Sequence, residues 1–209
     1  MRILMVDDHP VVRQGLRQIL AEAFPHAVFG EAATAQEALD RFRQHQWDVV
    51  ILDICIPGRN GIEVLKELKQ EQPRLPVLVL SIYAEDLYAT RVLKAGADGY
   101  VVKDSAPAEL VSAINRILQG RKYVSASLAE KLAAEIQPSA AKPLHEALSD
   151  REFEVLRLLA AGNTVKEIAE TMSLSAKTVS TYRTRILVKL RLKTTSELIR
   201  YAIRHRLEE

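Results

Sequence analysis

Four charged residues each follow a short apolar run: Asp7 and Asp8 after Ile3-Leu4-Met5-Val6, Asp53 after Val49-Val50-Ile51-Leu52, and Lys103 after Tyr100-Val101-Val102. Apolar runs of this length, separated by helix-period segments, read as strands of a parallel sheet, and in an open α/β sheet ligands collect beyond the carboxyl ends of the strands. The spacing therefore predicts that these residues meet at one edge. Three clustered carboxylates repel and raise one another's pKa unless a cation lies among them, and all-oxygen ligation suits Mg²⁺. The expected chemistry is a magnesium pocket with a lysine beside it.

A second concentration of charge lies near the other end. From Lys177 onward, Arg183, Arg185, Lys189, Arg191, Lys193, Arg200, Arg204 and Arg206 face one acid, Glu197, before Glu208-Glu209, although the whole chain carries only +2. Such a cluster suits a polyanion.

The elements that must position these groups follow from the apolar pattern. Runs near 3–6, 27–32, 49–52, 77–80 and 99–102 alternate with helix-period segments near 10–23, 35–44, 62–72, 86–95 and 107–119. This is a (βα)₅ pattern with right-handed crossovers, a doubly wound parallel sheet covered on both faces. Pro10 and Pro107 suit first helical turns, and Gly96 and Gly120 suit C-terminal caps. One connecting helix is expected over Tyr123 to Ile136, with a Ser127–Glu130 capping box and the stripe Leu128, Leu132, Ile136; Pro138 to Pro143 then breaks it as an interdomain linker.

The remainder reads as a smaller all-α domain of four helices. Ser149-x-x-Glu152, Thr164-x-x-Glu167 and Thr194-x-x-Glu197 are capping boxes, and Ser175 can cap a further helix. Thr164 to Met172, the turn Ser173-Leu174 and Ala176 to Leu190 give a helix-turn-helix, whose second helix enters the major groove. With Val179, Ile186 and Leu190 turned inward, Lys177, Ser180, Thr181, Thr184 and Val188 point outward. The expected domains are 1–122, a connector over 123–145, and 146–209.

At 209 residues, 48% hydrophobic and 27% charged, the chain suits two ordinary domains. No run is long enough to cross a bilayer, the N-terminal run meets Asp7 too soon for a signal peptide, and the single cysteine, Cys55, excludes an internal disulfide framework. A cytoplasmic protein is expected, with no membrane partner.

Across residues 1 to about 122, the order Asp7-Asp8, Asp53, Ser81, Tyr100, Lys103 resembles the receiver domains of two-component response regulators, a flavodoxin-like fold, with Asp53-Ile54-Cys55-Ile56-Pro57-Gly58-Arg59-Asn60-Gly61 similar to the phosphorylation-site loop. The resemblance implies Asp53 as phosphoryl acceptor; Asp8, Asp53 and the backbone carbonyl of Cys55 as Mg²⁺ ligands, with Asp7 acting through water; Lys103 and Ser81 as phosphoryl contacts; and Tyr100 as an aromatic switch that turns inward. Cys55 and Tyr83 resemble the positions that tune phosphoryl lifetime. Where the family often has a cis proline after the lysine, this chain has Asp104, and a non-proline cis bond would cost about 3 kcal/mol, so a trans bond is expected.

Leu148 to Leu156, Lys166-Glu167-Ile168-Ala169 and Lys177-Thr178-Val179-Ser180 resemble the LuxR-type DNA-binding domain, and the two resemblances together point to the NarL/FixJ class. They imply a regulator rather than an enzyme, activated by a sensor histidine kinase and binding double-stranded DNA as a homodimer when phosphorylated, with RNA polymerase a further partner open to it. Ser180, Thr181 and Thr184 would read bases, Lys177, Arg183, Arg185 and Lys189 would grip phosphates, and the last helix, Thr195 to His205, is a candidate dimer face. Two rivals remain at this point. One is a phosphohydrolase using Asp53, although the second aspartate such enzymes carry is replaced by Cys55, and sustained turnover of a phosphate ester would reveal it. The other is a purely protein-binding helical domain, against which the basic recognition helix argues.

Overall fold

The five apolar runs form strands β1 (Arg2–Val6), β2 (Val28–Ala32), β3 (Val49–Asp53), β4 (Val77–Ser81) and β5 (Gly99–Val102), each followed by a helix: α1 (Pro10–Ala23), α2 (Ala35–Gln44), α3 (Gly61–Glu71), α4 (Glu85–Lys94) and α5 (Ala106–Leu118). The computed structural model describes residues 1–56, 59–83, 85–135 and 143–207. Pro57 and Gly58, Ile136 of the connecting stripe, residues 138–142 of the expected linker and Glu208-Glu209 lie outside the described residues.

All strand pairs are parallel, in the order β2-β1-β3-β4-β5. Strands β3 and β4 are buried along their whole length and β1 beyond Arg2, which explains their unbroken apolar sequences. Ile3, Met5, Val49, Ile51, Leu78, Leu80 and Val101 pack with Leu16 and Leu20 of α1 and Leu110, Ile114 and Ile117 of α5. The alternate strand positions Leu4, Val50, Leu52 and Val79 are equally buried, as a sheet covered on both faces requires. The strand order reverses between β1 and β3, which opens a crevice at their carboxyl ends. The register, with Val6 opposite Leu52, Asp53 opposite Leu80 and Ser81 opposite Val102, aligns those ends side by side.

Pro10 starts α1, and Gly96 and Gly120 follow α4 and α5 at φ of +109° and +74°, a backbone region that costs a residue with a Cβ. The connector differs from expectation. Tyr123 is not helical: its amide donates to Asp98 O at 2.8 Å and its carbonyl accepts from Tyr100 N at 3.2 Å, a single bridge on the outer edge of β5. Helix α6 therefore begins only at Ala126 and ends at Glu135, and Ser125 is its cap, accepting from Leu128 N at 3.1 Å; the expected Ser127–Glu130 box is corrected to a Ser125 cap.

The chain divides into two units, Met1–Ile136 and Gln137–Glu209. The 123–145 segment is thus shared, α6 lying in the first unit and the 3₁₀ turn Leu144–Ala147 in the second. The second unit consists of α7 (Asp150–Ala160), α8 (Val165–Thr171), α9 (Ala176–Leu190) and α10 (Thr195–Arg204). Ser149–Glu152, Thr164–Glu167 and Thr194–Glu197 all form complete capping boxes, and Ser175 caps α9 by accepting from Thr178 N at 3.0 Å. Phe153, Leu156, Ile168, Val179, Ile186, Leu190 and Leu198 fill the core. No helix among the described residues is long and apolar enough to cross a membrane.

Candidate functional site

Strand register brings the expected acidic residues together. Asp7 and Asp53 are 1% and 2% exposed at the ends of neighbouring strands, and Lys103 Nζ lies 2.6 Å from Oδ2 of each. Their other oxygens are held by the turns that follow. Asp7 Oδ1 accepts from His9 N, and Asp53 Oδ1 accepts from Cys55 N, both at 2.8 Å. This second bond keeps the Cys55 main chain against the cluster. Asp8 is half-buried, with Oδ1 2.7 Å from His9 Nδ1.

Charge does not balance here. One lysine serves two buried carboxylates with a third alongside, so burial outweighs Lys103 and raises the Asp53 pKa above its ordinary value. The Lys103 ammonium is also held charged: burial opposes it, but Asp53 and then Asp7 more than offset that cost. The pocket is left with an excess of negative charge.

A divalent cation suits this donor set. Single ligand atoms of Asp7, Asp8, His9 and Asp53 all lie within 4.8 Å of one another. Asp7 Oδ2 and Asp8 Oδ1 are buried, facing Lys103 Nζ at 2.6 Å and His9 Nδ1 at 2.7 Å. Carboxylate oxygens with spare lone pairs are the donors hard cations prefer.

The loop after Asp53 is anchored by Asn60, 4% exposed, whose Oδ1 accepts from Ile62 N at 2.8 Å to cap α3. Gly61 follows because the backbone passes too close for any side chain: a Cβ there would lie 2.5 Å from Ile54 Cα and 2.6 Å from Asp53 O. The bond between Lys103 and Asp104 is trans, as expected, and residues 103–105 form a 3₁₀ turn.

Ser81 is fully buried at the end of β4, and its Oγ accepts from Tyr83 N at 3.1 Å. Tyr100 is also fully buried, and its hydroxyl donates to Tyr83 O at 2.8 Å; burial pushes its pKa well up. The ring is already inside, because the Tyr83 carbonyl satisfies its hydroxyl there. Tyr83 in turn stacks on Tyr88 of α4 at 5.0 Å between centroids.

Sequence reasoning gave no role to two neighbours of this pocket. His9 joins the acidic cluster, and its place at the N-cap of α1, directly after two aspartates, was the available signal. Arg13 donates from Nη1 to Asp7 O at 2.6 Å and from Nε to Glu31 Oε2 at 3.2 Å; an arginine one turn into a helix carries no mark of this.

On α9, Lys177, Thr181, Thr184, Arg185 and Val188 are exposed, and Ser180 and Arg183 are half-exposed. Thr181 and Thr184 donate their hydroxyls back to Lys177 O and Ser180 O, each at 3.0 Å, so they face outward with methyl groups and spare acceptor lone pairs. Thr178 and Tyr182, not expected from sequence, line a shallow groove with Ser175, Lys177, Thr181 and Arg185. Lys189 has a second partner within the unit. Its Nζ lies 2.6 Å from Glu152 Oε2 and 3.3 Å from Ala147 O, because Glu152 is a buried carboxylate in need of a cation. Lys189 thus ties α9 to the start of α7 while its side chain stays part-exposed.

Comparison with known proteins adds to this geometry. Residues 3–115 match the sequence model of the response regulator receiver domain, and residues 146–202 that of the luxR family of bacterial regulatory proteins. Response regulator UvrY of Escherichia coli (strain K12) is 35% identical over 204 residues, which cover 97% of this chain and 94% of that protein. Response regulator GacA of Pseudomonas viridiflava is 37% identical over 205 residues, covering 98% and 96%. Among solved structures, RcsB from Salmonella enterica serovar Typhimurium, bound to promoter rprA in the presence of the phosphomimetic BeF3-, matches with a TM-score of 0.66 and 29% identity, over 96% of this chain and 98% of that chain.

Proposed function

Because the chain belongs to the response regulators that join a receiver domain to a LuxR-type DNA-binding domain, we propose that Asp53 accepts a phosphoryl group from a sensor histidine kinase and that this controls promoter binding by α9. The observation that carries the reading is the shared lysine: a buried strand-end aspartate whose charge Lys103 only partly offsets. Such a carboxylate favours a cation beside it, and with its charge so balanced it can act as the nucleophile toward phosphorus.

In this reading Asp8, Asp53 and the Cys55 carbonyl would hold Mg²⁺, with Asp7 acting through water, and the bound ion would supply positive charge for the transferring oxygens. An Asp53 oxygen forms the new P–O bond as the P–N bond to the donor imidazole breaks. Lys103, already 2.6 Å from Asp53, needs only a small swing to pair with the phosphoryl oxygens, and the Ser81 hydroxyl leaves the Tyr83 amide to donate to them. Tyr100 serves as the aromatic switch, coupled to the Tyr83 main chain to which its hydroxyl is bonded. The change biases a two-state equilibrium toward a form that dimerises and binds DNA. Ser180, Thr181 and Thr184 face the bases, while Lys177, Arg183, Arg185 and Lys189 grip phosphates.

The test is sequencing of source-organism genomic fragments retained by the full chain, with and without Mg²⁺ and beryllofluoride. A paired motif enriched only with the mimic supports gated recognition, and its loss in Asp53→Asn assigns the gate to that carboxylate. Equal enrichment in both conditions removes the gate, and no enrichment in either overturns the reading.

A further inference from the structure

The segment after α5 is bonded to the sheet and to α4 at separate points. Tyr123 pairs with β5, its carbonyl accepting from the amide of Tyr100 itself, and its hydroxyl donates to Glu109 of α5 at 2.8 Å. Two residues on, Ser125 Oγ caps α6 by accepting from Leu128 N, and it donates to Glu85 Oε2. Glu85 is the first residue of α4. Leu128 is 2% exposed, and α6 packs against α4. A single hydroxyl thus joins the start of one helix to the cap of another.

The start of α4 is bound to the acidic pocket by a short series of contacts. Tyr83 donates its amide to Ser81 Oγ, receives the Tyr100 hydroxyl on its carbonyl, and stacks its ring on Tyr88 of α4. Whatever shifts the Tyr83 main chain therefore loads α4 directly. A hydroxyl–carboxylate bond is of the stronger, charge-assisted kind, yet it is lost when its atoms separate by much more than about 3 Å.

We propose that Ser125 and Glu85 form a latch that holds the connecting helix α6 on α4, and that loading of the acidic pocket opens it. This rests on Asp53 as phosphoacceptor. When the Ser81 hydroxyl turns to the phosphoryl group, the Tyr83 amide loses its acceptor, the Tyr83–Tyr88 stack shifts, and Glu85 leaves Ser125. The segment that leads toward the second unit then gains freedom while β1 to β5 stay in place.

Hydrogen exchange read by mass spectrometry on the full chain, with Mg²⁺ and with or without beryllofluoride, tests this. Peptides covering 124–135 are expected to exchange about fivefold faster with the mimic, while α5 peptides are unchanged. Glu85→Ala, which leaves Ser125 free to cap α6, is expected to give the same increase without the mimic. Ser125→Asp, which keeps a capping oxygen but sets a second negative charge against Glu85, is expected to do likewise, so the result does not depend on one variant folding. Peptides covering 50–56 report whether the pocket has responded. A response there with none at 124–135 overturns the latch and leaves the proposed function standing. No response at either overturns both. Variants that match the wild type at 124–135 overturn Ser125–Glu85 as the connection.

Discussion

Lys103 lies between two carboxylates it cannot both neutralise, and the consequence is measurable in stability. Because burial raises the Asp53 pKa, its charged form costs the folded state free energy at neutral pH. Asp53→Asn is therefore expected to stabilise the chain by about 1 kcal/mol at pH 7 in urea unfolding. The gain should shrink as pH falls through the raised pKa, where the wild-type carboxyl is already neutral. The same variant should take up no phosphoryl group. At the other site, Lys177→Ala should weaken binding to every DNA sequence alike and lower the slope of log affinity against log salt by about 1; an unchanged slope would remove Lys177 from the phosphate contacts. Asp7, Asp8, Asp53 and Lys103 were legible as a group because each ends an apolar run. Arg13 was not, since its bond to the Asp7 carbonyl depends on how α1 lies over β1.

At the scale of elements, local rules governed wherever a side chain and its partner lie within one turn. The three capping boxes and the Ser175 cap form as their spacing requires. Spacing failed where a distant strand decided the outcome: β5 holds Tyr123 extended, and the cap of α6 moved from Ser127 to Ser125. Spacing was also silent on the partner of Lys189, a buried carboxylate thirty-seven residues earlier. Lys189→Ala should accordingly destabilise the helical unit, by about 1 kcal/mol since the lysine is part-exposed. Lys189 and the Ser149 cap hold Glu152 below its ordinary pKa, more than offsetting burial, so this contribution is present above about pH 4.5 and lost as pH falls through the lowered value. Exchange of α7 amides would register it, whereas fluorescence of the single tryptophan, Trp47, reports the first unit.

For the molecule as a whole, the alternation of five strands and five helices and the four capped helices after them were readable from end to end, whereas the path of the connector between them depends on a contact with the sheet that spacing does not show. The receiver resemblance runs to about residue 122, and helix α6, up to Glu135, belongs to the first unit as well. The contact with the sheet is made by Tyr123, whose main chain covers part of the rim of β5. An open strand rim is a template for other chains, and small devices that cover it guard against unwanted association. A shortened chain ending at residue 122 should therefore self-associate in light scattering as concentration rises, and one ending at residue 136 should stay monodisperse. Tyr123 thus covers the rim with main chain alone, and the connector doubles as a selvedge on the sheet.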